Sequence, residues 1–227
     1  MLKEYDAIIF DFDGTLYDNY KIGKALVLNN PFQMMKMAED RKIRKELKGK
    51  DFSNGQEFFN EYYRLLSKKT GNSVKKAEEW YNKKYLPSMI KVLHKKYKAQ
   101  PGIDELFDYL KNKNIKTAVF SDYNLVEKRM QALGINPSIS ENLFSSVELG
   151  GLKPAPGPFL KIAEILGVEP SKILVVGDRN DTDGQGARNC GMSFIQLKIK
   201  GTKESAEELD HPLYDWKELC NFLMKKS

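Results

Sequence analysis

Ala7-Ile8-Ile9-Phe10-Asp11-Phe12-Asp13-Gly14-Thr15-Leu16 sets an unbroken apolar run directly against two carboxylates and a glycine. The run is short, with β-branched and aromatic members, which predicts a buried strand over Ala7 to Phe10. Side chains alternate along a strand, so Asp11 and Asp13 face one side if the extended backbone continues through them. In open parallel sheets ligands sit beyond the carboxyl ends of strands, and Asp11 stands where this strand finishes. Gly14 permits a tight turn whose backbone N–H groups could cradle an anion.

Two carboxylates this close repel, raise one another's pKa and need a counter-charge to coexist ionised. A hard cation is the natural solution, and magnesium binds one or two carboxylates plus substrate phosphate, a set that Asp11 and a backbone carbonyl could begin. One carboxylate can then be the nucleophile while the other is general acid toward the leaving oxygen and base toward water. Those roles are assigned to Asp11 and Asp13 respectively. Two idle acidic turn residues are the plain alternative, and the rest of the chain decides between them.

Further strands are predicted over Lys116 to Phe120, Phe144 to Leu149, Ile173 to Val176 and Ser193 to Leu197, separated by helix-length segments such as Ile103 to Asn112 and Phe159 to Leu166. That alternation argues for an α/β fold with a parallel sheet. From about Asn19 to Gln100 the pattern is helical instead, with no convincing strand. Ser53 followed by Gln56 suggests a capping box, Asn72 or Ser73 a cap for the helix carrying Val74, Ala77, Trp80 and Tyr81, and Pro87 should kink or end that helix. Pro101 and Gly102 return the chain to the sheet. Charge marks the same boundary: residues 19–100 carry 20 Lys and Arg against 8 Asp and Glu, a net of +12 within an overall +6, which leaves the remainder at −6.

With 227 residues, 41% hydrophobic and 30% charged, the chain is too apolar for disorder and too mixed for a fibre. No apolar run approaches a membrane span and no signal-peptide core precedes the first strand, so a cytoplasmic protein away from membranes is expected. Cys190 and Cys220 lack CxxC spacing and a nearby His, which argues against disulfides and zinc. His94 and His211 sit in unrelated contexts, and no GxSxG surrounds Ser121, so a serine hydrolase is a poor reading.

Three later strand ends carry chemistry. Ser121 offers a hydroxyl and adjacent N–H groups to phosphate, although a hydroxyl there also suits a cap for the helix from Asn124 to Leu133. Lys153, before Pro154 and therefore in a loop, could set an ammonium beside a dianionic phosphate. Gly177-Asp178-Arg179-Asn180-Asp181-Thr182-Asp183 is a dense acidic loop fit to cradle a metal. An EF-hand is set aside, since no Glu follows at the required spacing and a strand precedes.

Taken in order, Asp11-Phe12-Asp13-Gly14-Thr15-Leu16, Ser121, Lys153-Pro154 and Gly177-Asp178 with Asp183 resemble the four motifs of the haloacid dehalogenase superfamily of phosphohydrolases, of the phosphoglycolate phosphatase-like kind. The helical insert resembles that family's C1-type cap. The resemblance implies a Rossmann-like three-layer core of residues 1–18 and 101–227 and an all-helical cap of residues 19–100. It implies Asp11 as nucleophile, Asp13 as acid/base, Thr15, Ser121 and Lys153 as phosphate binders, and Mg2+ held among Asp11, Asp13, Asp178 and Asp183. Asp181 rivals Asp183 for the last position. Asp122 stands where the family often has Asn, and Arg179 where it often has a small residue.

The function expected is therefore a magnesium-dependent phosphatase for a small phosphorylated metabolite, acting through an aspartyl-phosphate. A phosphomutase or a haloacid dehalogenase of the same superfamily is the enzymatic alternative, although the dehalogenase branch lacks a carboxylate at the place of Asp13. A receiver-like phospho-acceptor module would leave the insert without a purpose. Lysine-rich helices such as Arg41 to Lys48 and Lys91 to Lys98 read as solvated faces, with steering of an anionic substrate as the alternative. No nucleic-acid partner is expected, and a monomer or homodimer fits.

Overall fold

β1 (Ala7–Asp11) is buried along its whole length and lies at the centre of the sheet, which is why its sequence is apolar on both faces. The computed structural model describes residues 4–198 and 212–224; His211 and part of the expected core segment lie outside them. After β1 come α1 (Ile22–Asn29), α2 (Met34–Leu47), α3 (Gly55–Thr70), α4 (Val74–Trp80), α5 (Leu86–Lys96) and α6 (Ile103–Asn112). Then follow β2 (Lys116–Ser121), α7 (Val126–Ala132), β3 (Asn142–Ser145), α8 (Pro156–Leu166), β4 (Ile173–Gly177), α9 (Gln185–Asn189), β5 (Ser193–Gln196) and α10 (Trp216–Met224).

All strand pairs are parallel, in the order β3-β2-β1-β4-β5. Strand alternation splits the core into two layers of side chains. Ile8, Phe10, Val119, Leu174 and Val176 face α6, α7 and α10, while Ala7, Ile9, Ala118, Phe120 and Val175 face α8 and α9. Register brings the functional strand ends level: Asp11 is opposite Phe120, one residue before Ser121, and Phe10 is opposite Val176, one residue before Gly177.

β3 is the strand whose limits differ from expectation, ending at Ser145 where Phe144 to Leu149 was predicted. Its ladder stops at the Ser121–Ser145 pair, and the backbone then closes a turn, with Glu148 N and Leu149 N donating to Ser145 O. Val147 is buried inside that turn, so its apolarity reflects packing and not a strand.

Between β1 and β2 the insert is helical, with the five helices α1–α5. α3 starts one residue later than the Ser53–Gln56 reading. Asn54 caps it by accepting from Glu57 N at 3.0 Å, and Glu57 Oε2 reaches back to Ser53 N. Ser73 caps α4, accepting from Lys76 N. Pro87 does not stop the helix: a π turn over Tyr81–Tyr85 joins α4 to α5, and Pro87 falls in the first turn of α5. Tyr81 and Tyr85 are buried in the insert's aromatic core at that altered winding.

Candidate active site

The strand tips of β1, β2 and β4 and the loop before α8 meet beneath the helical insert, around a cavity of about 810 Å³ lined from both sides. Asp11, the last residue of β1, is 4% exposed, and its Oδ1 accepts from Lys153 Nζ at 2.5 Å. The same ammonium donates to Asp183 Oδ1 at 2.6 Å. Asp11, Asp178 and Asp183 are all buried, with carboxylate oxygens within 4.8 Å of one another. Gly14, at φ +104°, is what allows this: a methyl there would lie 2.6 Å from Asp178 Oδ2.

Electrostatics follow from burial and crowding. Burial pushes the Asp11 carboxyl well above the usual range, and Asp183, Asp178 and Asp13 add to that against the pull of Lys153. Asp178 is driven to about 7, by burial first and then by Asp183. Burial pulls the Lys153 pKa down, but Asp11 and Asp183 outweigh it and hold the pKa well above the ordinary value. With all three carboxylates ionised, one ammonium would leave two negative charges uncompensated in a buried space, and such a donor set of oxygens fits a hard divalent cation.

Asp183 and Asp181 separate clearly. A π turn over Asn180–Gly184 turns Asp183 inward, whereas Asp181 is 56% exposed and pairs with Arg179 and Lys48. Although burial opposes it, those two hydrogen-bonded cations hold Asp181 down at about 2.

Asp13 lines the same cavity, but its carboxylate is not in the group of three. Oδ1 accepts from Tyr17 Oη at 2.6 Å and from Arg129 Nη2, and Oδ2 accepts from Ser121 Oγ at 2.6 Å. Its carbonyl oxygen accepts from Asn19 Nδ2. Thr15 and Ser121 do not line the cavity: Thr15 donates its hydroxyl to Asp11 Oδ2 at 2.9 Å, and Ser121 donates to Asp13. Nor does Ser121 cap α7, which starts at Val126 with no side-chain cap. Asp122 also lines the cavity, and its carboxylate accepts from Ser146 Oγ and from Lys153 N.

Arg129 and Tyr17 escaped the sequence reading. Both are fully buried, and Arg129 also donates to Ser121 Oγ at 2.8 Å and lies over the Phe12 ring. A signal was present: Val126, Arg129, Met130 and Leu133 form one helical stripe, and an arginine on an apolar stripe demands a buried partner.

Fold and site together define an α/β protein with a parallel sheet, a helical insert and a buried acidic site, and residues 5–191 match the family model described as haloacid dehalogenase-like hydrolase. The chain belongs to that family. It is 32% identical to a phosphoglycolate phosphatase of Aquifex aeolicus, over 82% of this chain and 81% of the relative. A glyceraldehyde 3-phosphate phosphatase of Pyrococcus furiosus is 24% identical over 87% of this chain and 82% of its own length. Among solved structures, an L-2-haloacid dehalogenase of Xanthobacter autotrophicus shares the fold with a TM-score of 0.64, at 18% identity over 98% of this chain and all of that one. Among the described residues no helix is long and apolar enough to cross a membrane.

Proposed function

We propose that the protein is a magnesium-dependent phosphatase that hydrolyses a small phosphate monoester through an aspartyl-phosphate on Asp11. The observation that carries this reading is the buried Asp11–Lys153–Asp183 chain with Asp178 beside it, at the closed end of a cavity large enough for a metabolite. Asp11, Asp178 and Asp183, with the Asp13 carbonyl oxygen, are the groups that would hold Mg2+. The chemistry an ion supplies there is neutralisation of the carboxylates and of the phosphate oxygens.

Each chain residue then has a task. Lys153 spends two of its three N–H donors on Asp11 and Asp183 and keeps one for a phosphate oxygen. Thr15 fixes the plane of the Asp11 carboxylate for in-line attack. The bond from Asp11 to phosphorus forms as the ester oxygen departs, and Asp13, which must enter this step protonated, gives that oxygen its proton. Asp13 later takes a proton from water as water displaces Asp11 and frees inorganic phosphate. Both Asp13 oxygens accept hydrogen bonds without substrate, so one must be released. Oδ2, held by the Ser121 hydroxyl alone, is the one to be freed, while Tyr17 and Arg129 keep Oδ1 fixed.

The family resemblance and the phosphatases among the relatives support the same reading. Phosphate release from a panel of phosphorylated metabolites, compared by kcat/KM, tests it. Release should need Mg2+, stop with EDTA, and vanish in a folded Asp11→Asn variant; substantial activity in that variant would remove Asp11 from the chemistry.

A further inference from the structure

The cap side of the cavity carries charge that the scissile phosphate does not need. Arg41, Arg44 and Lys45 of α2, with Lys48 just after it, occupy positions i, i+3, i+4 and i+7, a single helical stripe, and all four line the cavity that Asp11 and Lys153 close from below. Two of them are committed. Arg44 donates to Asp40, to the Tyr81 hydroxyl and to the Asp122 carbonyl, and Lys48 pairs with Asp181.

Arg41 and Lys45 have no ion-pair partner among the described residues, and neither has Lys24 of α1, which lines the same wall. Arg41 reaches across Gly23, where a methyl would lie 2.5 Å from its Nη2, so the bare backbone leaves its guanidinium room. Elsewhere on the insert some cations are paired, Lys42 with Glu39, Arg64 with Glu61 and Lys83 with Glu79, while others such as Lys36, Lys75 and Lys91 have no ion-pair partner among the described residues but lie outside the cavity lining. Arg41, Lys45 and Lys24 therefore stand without ion-pair partners at the wall of a cavity of about 810 Å³, which has room for a leaving group beyond the phosphate.

We propose that the departing alcohol carries a second anionic group, a carboxylate or a second phosphoryl, held by Arg41 and Lys45 with Lys24 beside them. This rests on the phosphatase reading and adds to it the class of substrate. Guanidinium and ammonium groups donating to such an anion make charge-assisted hydrogen bonds, which Lys153 cannot supply while it is engaged with Asp11 and the scissile phosphate.

Matched esters test the assignment: phosphoglycolate against ethyl phosphate, and propane-1,3-diyl bisphosphate against propyl phosphate. With two charge-assisted bonds at stake, kcat/KM should favour the member with the second anion by about tenfold or more. The carboxylate and phosphoryl arms show which anion is preferred. In Arg41→Gln/Lys45→Gln that ratio should fall to about threefold or less, while Lys42→Gln/Lys91→Gln, which removes two cap charges outside the cavity lining, leaves it unchanged. Equal kcat/KM within each pair, or an equal fall of the ratio in both double variants, overturns the proposal.

Calorimetric binding of 3-phosphonopropionate and propylphosphonate, which carry no hydrolysable ester, separates the two readings. Tighter binding of 3-phosphonopropionate, lost in Arg41→Gln/Lys45→Gln, supports the anion site even if no ester is hydrolysed, which would sink the phosphatase reading alone. Equal binding of the two phosphonates, with all four esters hydrolysed alike, sinks the anion site alone.

Discussion

Arg129→Met removes a buried guanidinium while keeping an unbranched stem of similar length, and the structure fixes what is lost. Arg129 is 0% exposed, and its two terminal nitrogens hold Asp13 Oδ1 and Ser121 Oγ. Breaking a fully buried pair from one side costs about 3–5 kcal/mol. The Asp13 side chain is 21% exposed and keeps Tyr17 and Ser121 as donors, so solvent and those bonds reduce the loss to about 2–3 kcal/mol. For a chain of this length that lowers Tm by roughly 4–12 °C in a thermal melt. Activity carries the sharper signal. With Oδ1 no longer fixed, Asp13 protonates the leaving oxygen less well, and this matters most where the alcohol is a poor leaving group. The loss in kcat/KM should therefore be about tenfold greater for an alkyl phosphate than for p-nitrophenyl phosphate. Arg129→Lys, which retains the charge, should recover part of it. An unchanged Tm together with equal losses on both esters would refute the positioning role.

The metal-free protein should lose stability as pH rises. Asp178 binds its proton more tightly folded, at about 7, than at its ordinary 3.8, so its contribution is present at low pH and is lost as pH rises through about 7. The effect is on the order of 2–4 kcal/mol, and Asp178→Asn should flatten the slope of Tm between pH 5 and pH 8 measured in EDTA. Mg2+ should accordingly raise Tm more at pH 8 than at pH 5; the opposite order would contradict the assignment of the carboxylate group. If the basic cap steers anionic substrate, kcat/KM at saturating Mg2+ should fall as ionic strength rises, and a flat dependence leaves the +12 of residues 19–100 with a local role only.

β1 and β4 were legible because strands buried on both faces read as continuous apolar runs, and their polar successors mark the strand tips. The spacing of Asp11, Lys153 and Asp178 along the chain said nothing of their separation in space; the parallel register of β1 with β2 and β4 supplies that. Asp181 and Asp183 could not be ranked from sequence, because a π turn decides which carboxylate faces inward. Thr15 and Ser121 are expected to bind phosphate, and without substrate their hydroxyls donate to the two carboxylates, a placement set by rotamers that the sequence does not show. Arg129 was overlooked although its place on an apolar stripe was visible, since its partner lies 116 residues away.

Chemistry through Asp11 is tested most directly by trapping the acyl phosphate. The protein, turning over its best ester with Mg2+, is quenched in acid, reduced with borohydride and digested for mass spectrometry. Attack by Asp11 requires homoserine at position 11, formed only when ester is present and absent from the Asp11→Asn variant. Steady phosphate release with Asp11 unmodified, or with homoserine at another aspartate, would contradict it.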